Sequence, residues 1–161
     1  MKPFLSRLVD EFRQLWKHYI YQSLLATLVV FIVLLSLSVE QAVIIASIGA
    51  TAFIVFAMPG SVTAQPRRVI GGHLVGLLSG SVSAIIPQPT FLYSALLYSL
   101  AVGASIFIMV AIDVEHPPAA GTALGVAIRG FSPNVAVAII TSTVMLALAH
   151  QLLKPFMKDL T

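Results

Sequence analysis

Long apolar runs separated by short polar or proline-containing breaks dominate this chain from residue 20 onward. The runs are Ile20 to Leu37, Ala42 to Met58, Pro66 to Ile86, Phe91 to Ile112, Pro117 to Ile128 and Pro133 to Leu153. A helix rises about 1.5 Å per residue, so about 20 residues cross a bilayer core of roughly 30 Å. Four runs therefore predict full spans, whereas the runs beginning at Ala42 and Pro117 predict short membrane segments.

The N-terminal arm has a different pattern, in which apolar residues recur at helical spacing and polar residues fill the other face. Trp16 and Tyr19 come just before the first apolar run, where aromatic side chains are expected to lie at headgroup depth. Residues 1–19 therefore predict an interfacial amphipathic helix, from about Pro3 to Lys17, on the membrane surface. A helix that binds a partner protein is the alternative.

Composition makes the membrane assignment firmer. The chain has 161 residues, of which 58% are hydrophobic and 9% charged, against about 25% charged residues in a typical soluble domain. We predict a single all-α integral membrane domain. The absence of cysteine excludes disulfides and thiolate metal ligands. A net charge of +3 is weak evidence for a nucleic-acid partner, and we expect none.

Basic residues predict the orientation. With the arm that carries Lys2 and Lys17 in the cytoplasm, Arg67 and Arg68 fall inside, and Lys154 and Lys158 also fall inside if the short segment after Pro117 crosses the membrane. If that segment re-enters instead, the C-terminus lies outside. The simplest location is a bacterial inner membrane with a cytoplasmic N-terminus.

Counting crossings gives two halves of opposite topology, residues 20–86 and 91–153. A displacement of 71 residues aligns Thr51 with Thr122 and places one short segment against the other. Paired short segments in matching positions are typical of the binding site of a transporter built from inverted repeats.

The chemistry of the chain is concentrated in the stretch from Asp113 to Gly125. Two carboxylates and His116 precede Pro117 and Pro118, which suit the first turn of a helix. We predict a helix that starts here, with His116 at its cap and unpaired N–H groups that attract anions. Asp113 or Glu115 could instead be a solvated residue that caps this helix.

The His-Pro-Pro-Ala run at residues 116–119, followed by Gly-Thr-Ala-Leu at 121–124, resembles the signature of the HPP family of integral membrane proteins. Gly-Ala-Thr-Ala at 49–52 and Ala-Gln-Pro-Arg at 64–67, which runs into Gly-Gly-His at 71–73, extend the resemblance over most of the chain. Family members from cyanobacteria and chloroplasts are linked to nitrite transport, so the resemblance implies nitrite as substrate. Some members also carry a C-terminal CBS domain, which we do not expect within these 161 residues.

Other candidate residues lie inside the predicted spans. His73 must face the protein interior, where it contacts either substrate or proton, or bonds a Ser or Thr of a neighbouring helix. Thr51 and Thr122 offer hydroxyls, although they could bond their own i−4 carbonyls. The other two histidines, His18 and His150, are expected at the interface.

Small residues form two stripes. Gly72, Gly76 and Gly80 recur every four residues in the third span, and Gly121 and Gly125 do so in the short segment. Such stripes allow close helix packing, and the alternative is that they widen a pore. Six short helices bury little surface, so we also predict a homo-oligomer in contact with the lipid bilayer.

Three functions remain open. The first is a channel or proton-coupled carrier for a small anion, most simply nitrite, with a pathway of His116, Pro117, Pro118, Thr122, Thr51 and His73 and with Glu115 as the gating or proton-coupling group. The second is a cation or transition-metal permease that uses Asp113, Glu115 and His116. The third is a membrane scaffold or assembly subunit without transport. No catalytic motif is present, and we expect neither an enzyme nor a bound metal or cofactor.

Overall fold

The computed structural model describes residues 4–35 and 42–161, with side chains described for 12–35 and 46–161. These residues form six α-helices and contain no strand: α1 (Phe4–Leu35), α2 (Ala42–Ala57), α3 (Pro66–Ile85), α4 (Phe91–Ala111), α5 (Pro118–Arg129) and α6 (Pro133–Leu153). Short 3-10 turns at Val62–Ala64 and Lys154–Phe156 precede α3 and follow α6. The predicted all-α membrane architecture is confirmed.

The helix α1 differs from the prediction. A surface helix ending near Lys17 and a separate span from Ile20 were expected, but α1 runs through this region without a break. No proline or glycine occurs between Phe4 and Leu35 to interrupt it. The first three residues of the predicted surface helix, including its start at Pro3, and the predicted end of the span at Leu37 lie outside the described residues.

Local sequence signals explain the other boundaries. Prolines open α3, α5 and α6, where the missing N–H costs nothing. Thr90 and Ser132 cap α4 and α6 by accepting hydrogen bonds from the backbone N–H groups of Tyr93 and Val135. The predicted segments therefore agree with the structure to within a few residues.

The bundle is arranged around α3, which packs against α4, α5 and α6. The stripe of Gly72, Gly76 and Gly80 faces α5 at very close range. A Cβ added to Gly76 would lie 2.3 Å from the carbonyl oxygen of Ala119, and one added to Gly80 would lie 2.5 Å from that of Ala123. The contact advances in step along both helices, so α3 and α5 are parallel and the glycines serve as a packing surface.

The helices pair in a pattern that is unchanged when the two halves are exchanged. The packed pairs are α1 with α2 and α6, α2 with α5 and α6, α3 with α4, α5 and α6, and α4 with α5. Replacing α1, α2 and α3 by α4, α5 and α6, and the reverse, reproduces the same set. Two repeats of a long, a short and a long helix would produce this pattern, and superposition of the halves after inversion remains a prediction.

The turns before α3 and the segment after α6 lie together at one end of the bundle. The side-chain amide of Gln22 donates to the carbonyl of Lys158 at 2.8 Å and accepts from its N–H at 3.0 Å. Leu160 N–H donates to the carbonyl of Ala57, the last residue of α2, at 2.8 Å. The bond from Leu160 satisfies a carbonyl at the end of α2 that would otherwise be unpaired, and the bonds from Gln22 satisfy backbone groups of the C-terminal segment.

The short helix α5 ends at the opposite end of the bundle. Its last residues, 127–130, line the same surface depression as residues 84–88, where α3 ends. Since α5 begins beside Gly72 in the first part of α3, it runs beside α3 from there toward the end of that helix and does not fold back. Crossing of the membrane by Pro117–Ile128 remains a prediction.

The outer faces of the bundle are apolar. Phe91, Leu92 and Phe107 are all more than 70% exposed, as expected for side chains that contact lipid. Among the described residues, four helical stretches are long and apolar enough to cross a membrane: Phe12–Leu35, Pro66–Ile85, Phe91–Ala111 and Pro133–Phe156.

Candidate functional site

Five polar side chains meet in the interior of the bundle. We call this group the His–Thr cluster: Ser47 and Thr51 of α2, His73 of α3, His116 of the α4–α5 loop and Thr122 of α5. Each is at most 5% exposed. Buried polar groups are costly unless they are hydrogen-bonded, so the bonding of this cluster decides what it can do.

His73 bridges the two short helices. Its Nδ1 lies 2.7 Å from Thr122 Oγ1, and its Nε2 lies 2.9 Å from Thr51 Oγ1. Thr122 in turn contacts Ser47 Oγ at 2.9 Å. His73 therefore bonds threonines of neighbouring helices, which is one of its two interpretations. A contact of His73 with substrate or with a transported proton stays a prediction.

His116 completes the cluster from the loop before α5. Its Nδ1 lies 2.8 Å from the carbonyl oxygen of Thr63, and its Nε2 lies 3.0 Å from Thr51 Oγ1. A carbonyl only accepts, so Nδ1 carries the proton. Close packing fixes the ring position, because a Cβ on Gly72 would lie 2.7 Å from His116 Cβ.

The predicted anion site at the start of α5 assumed that His116 caps the helix and that the first N–H groups are unpaired, and both assumptions are wrong. The residue at the cap is Pro117, not His116, and no side chain caps the helix. The first N–H groups after the two prolines are already used, since Ala119 donates to the carbonyl of His116 at 2.9 Å and Ala120 to that of Pro117 at 3.2 Å. The His116 side chain is turned inward, and Pro117 is exposed whereas Pro118 is buried.

The acids before His116 form a second group, the Arg–acid cluster, with Arg67 and Arg68 at the start of α3. Asp113 bonds both guanidinium groups, and Glu115 pairs with Arg68. The hydrogen bond from Arg67 is the main cause that holds the pKa of Asp113 below its usual value. Desolvation opposes it, and the hydrogen bond from Arg68 and the charges of both arginines add to the lowering. Asp113 adopts a positive φ of 58°, and neither acid caps α5.

These contacts occupy the three side chains that the metal-permease alternative needs as metal ligands. Asp113 and Glu115 face arginines, while both nitrogens of His116 are bonded to Thr63 and Thr51. Among residues 12–35 and 46–161, whose side chains the structure describes, no group of three or more His, Cys, Asp or Glu is placed to hold a metal ion.

Sequence reasoning missed some members of the site. Ser47 lies four residues before Thr51 and so shares its helix face, a spacing that could have revealed it. The bond from His116 to the carbonyl of Thr63 could not be predicted, because every residue has a backbone carbonyl and the sequence does not mark this one. His150 was expected at the interface, but it is 2% exposed and its Nε2 donates to the carbonyl of Pro59 at 2.9 Å.

Comparison with known proteins identifies the class of this membrane protein. The family model of the HPP transmembrane region matches residues 11–156, and the chain belongs to this family. It is also similar to a transmembrane protein of Dictyostelium discoideum, with 37% identity over 89 residues, 55% of this chain and 31% of the relative. The match thus takes in about a third of the relative's length. No solved structure matches the chain.

Proposed function

We propose that the protein carries a small inorganic anion across the membrane, most simply nitrite, and that the His–Thr cluster is the binding region of the pathway. The observation that supports this is the burial of two imidazoles and three hydroxyls at the junction of α2, α3, α5 and the α4–α5 loop. Ionisable groups inside a membrane domain are costly and usually mark a pathway for an ion or a proton. Nitrite as the substrate follows from the resemblance to the family.

The cluster lies where an inverted-repeat transporter would bind its substrate. Thr51 and Thr122 come from the two short helices, which occupy equivalent positions in the two halves. His73 lies about 10 Å along α3 from its first residue. Because every member is buried, transport requires a second conformation in which α2 or the α4–α5 loop moves and admits solvent from one side.

The Arg–acid cluster is suited to control that movement. It ties the start of α3 to the loop that carries His116. Arg68 is only 12% exposed, so its bonds with Asp113 and Glu115 are less screened than a surface ion pair. In this proposal Glu115 is the gating group, and breaking its bond with Arg68 frees the loop.

We further propose that the end carrying the Arg–acid cluster faces the cytoplasm. Arg67, Arg68, Lys154 and Lys158 lie at this end with the C-terminal segment, whereas Arg129 ends α5 at the other. By the positive-inside rule this orientation puts the N-terminus in the cytoplasm, and a bacterial inner membrane is the simplest location for the chain. The homo-oligomer is also a proposal, and mass measurement in native membrane particles tests it.

The test is ion flux in proteoliposomes made with the purified protein. Nitrite, nitrate, formate, chloride and divalent metals are compared for the wild type, for His116→Ala and for the control His18→Ala, which changes a histidine of α1 outside the cluster. We expect anion flux that His116→Ala lowers at least about tenfold and that His18→Ala leaves unchanged. Flux of metals alone would support the permease, and no flux of any ion from folded protein would support the scaffold.

A further inference from the structure

The last turn of α2 and the turn that follows it are held from three directions. Among the residues whose side chains the structure describes, four hydrogen bonds join this region to α1, to α6 and to residues 157–160, which we call the C-terminal strap. The bonds run from the Gln22 side-chain amide to the Phe56 carbonyl, from Leu160 N–H to the Ala57 carbonyl, from His150 Nε2 to the Pro59 carbonyl and from Gly60 N–H to the Asp159 carboxylate.

The C-terminal strap is itself anchored to the bundle. The Gln22 amide also donates to the carbonyl of Lys158 and accepts from its N–H, so both its amide hydrogens and its oxygen are used. Met157 is buried and belongs to the hydrophobic core. Gln22 therefore connects α1, the end of α2 and the strap through one buried side chain.

The bonds at the end of α2 are costly to break. The carbonyls of Phe56 and Ala57 lie in the last turn, where a helix offers them no partner of its own. The side chains of Gln22 and His150 are also buried, so their polar groups would lose a partner without gaining water. The end of α2 should therefore keep its position when the rest of the site rearranges.

The α4–α5 loop is held in a different way. The side chains of Asp113 and Arg67 are both 61% exposed, so water can replace their contact when the loop moves away from α3. Asp113 also has a positive φ of 58°, which is uncommon for a residue other than glycine. The bonds within the His–Thr cluster are broken whichever wall moves, so they do not decide between α2 and the loop.

The end of α5, which corresponds to the end of α2 in the other half, is tied less firmly. Its last bond is within the turn, from Gly130 N–H to the carbonyl of Val126 at 2.9 Å. Residues 127–130 line an open depression at the surface. The two short helices thus differ in how their ends are fixed, although they supply equivalent threonines to the cluster.

From these contacts we propose that the C-terminal strap, Gln22 and His150 hold α2 as the stationary wall of the His–Thr cluster, and that the α4–α5 loop is the wall that moves to admit the ion. This inference rests on the proposed anion transport and assigns a movement which that proposal leaves open between α2 and the loop. Gln22 and His150 are positioning residues, since they act through α2 on Thr51, five residues or about 7.5 Å before Phe56 along the helix.

Two pairs of introduced cysteines lock the two walls separately. The natural chain has no cysteine, so no other thiol competes. A Cβ added to Gly71 lies 2.9 Å from a γ carbon of Val114, and one added to Gly60 lies 3.1 Å from the γ carbon of Asp159. A cysteine sulfur takes the place of such a γ atom, so both pairs are suited to a disulfide. Gly71→Cys/Val114→Cys joins the loop to α3, and Gly60→Cys/Asp159→Cys joins the turn after α2 to the strap.

Nitrite flux into proteoliposomes is then compared for each pair in its oxidised and reduced forms. Oxidation should stop the flux through Gly71→Cys/Val114→Cys, and a reductant should restore it. Gly60→Cys/Asp159→Cys should transport equally in both forms. Flux that is lost on oxidation of the second pair, or kept on oxidation of the first, would overturn this inference and leave the proposed function standing. No flux of any anion by the folded wild type would overturn both.

Hydrogen exchange tests the same assignment in the wild type. We expect Leu160 N–H to be more strongly protected than Val114 N–H, which bonds the carbonyl of Met109 and is released when the loop moves. Gln22→Ala should reduce the protection of Leu160, whereas Ser23→Ala, which changes an exposed neighbour, should not. Weaker protection of Leu160 than of Val114 in the wild type, or unchanged protection of Leu160 in Gln22→Ala, would overturn the inference.

Discussion

Replacing Gly76 by alanine should force α3 and α5 apart. The added Cβ would lie 2.3 Å from the carbonyl oxygen of Ala119 and 3.3 Å from the backbone nitrogen of Ala123, whereas ordinary contact begins at 3.4 Å. The obstacle is helix backbone, which cannot rotate away as a flexible side chain could. The two helices must therefore separate by roughly 1 Å, and overpacking of this kind typically costs about 1–3 kcal/mol.

Gly103→Ala is the matched control. Gly103 lies in α4 with no atom within 4 Å of an added Cβ, and it is exposed. Both substitutions gain about 1 kcal/mol of helix propensity, so this contribution cancels in the comparison. We expect Gly76→Ala to be less stable than Gly103→Ala by about 2 kcal/mol, measured by reversible unfolding in mixed detergent micelles.

The same separation should reach the His–Thr cluster. The contact between His73 Nδ1 and Thr122 Oγ1 is 2.7 Å and joins the same two helices. Lengthening it by roughly 1 Å would take it beyond hydrogen-bonding distance. Nitrite flux should therefore fall in Gly76→Ala even in molecules that remain folded. Equal stability of the two variants would refute the close contact on which this reasoning depends.

Three further predictions concern the polar groups. Thr122→Val leaves the buried His73 Nδ1 without a partner and should cost about 1–3 kcal/mol in detergent unfolding, while Thr27→Val, an exposed site in α1, should cost little. His116 in the α4–α5 loop has its pKa lowered from 6.5 to about 4, so the unfolded chain binds more protons between these values. Stability should fall as the pH drops from 6.5 to 4, by about 3 kcal/mol, and His116→Asn should flatten this dependence. Glu115→Gln weakens the bond with Arg68 and should reduce the pH dependence of flux more than its maximum.

The sequence was sufficient to predict the helices and their boundaries. Apolar runs, prolines at helix starts and hydroxyl caps such as Thr90 act locally, so a one-dimensional pattern contains them. The exception was α1, where a change from amphipathic to uniformly apolar sequence was interpreted as a break. That change alters what surrounds the helix and does not interrupt its backbone.

Four residues of the candidate site were predicted from the sequence, but Ser47 and the bonding of the cluster were not. His73, His116, Thr51 and Thr122 were selected from their residue types and positions, and the structure brings all four together. The inward turn of His116 depends on packing against Gly72, which comes from another helix. The pairing of Arg68 with Glu115 likewise joins residues 47 positions apart, which no local pattern reveals.

The most direct test of the account is nitrite flux into proteoliposomes by the wild type, Thr51→Val and Thr51→Ser, measured in preparations shown to be folded. Thr51 Oγ1 contacts both imidazoles, so its hydroxyl is the group on which the pathway depends. We expect Thr51→Ser to transport like the wild type and Thr51→Val to lose at least about 90% of the flux. Nitrite transport by folded Thr51→Val at the wild-type rate would contradict the account.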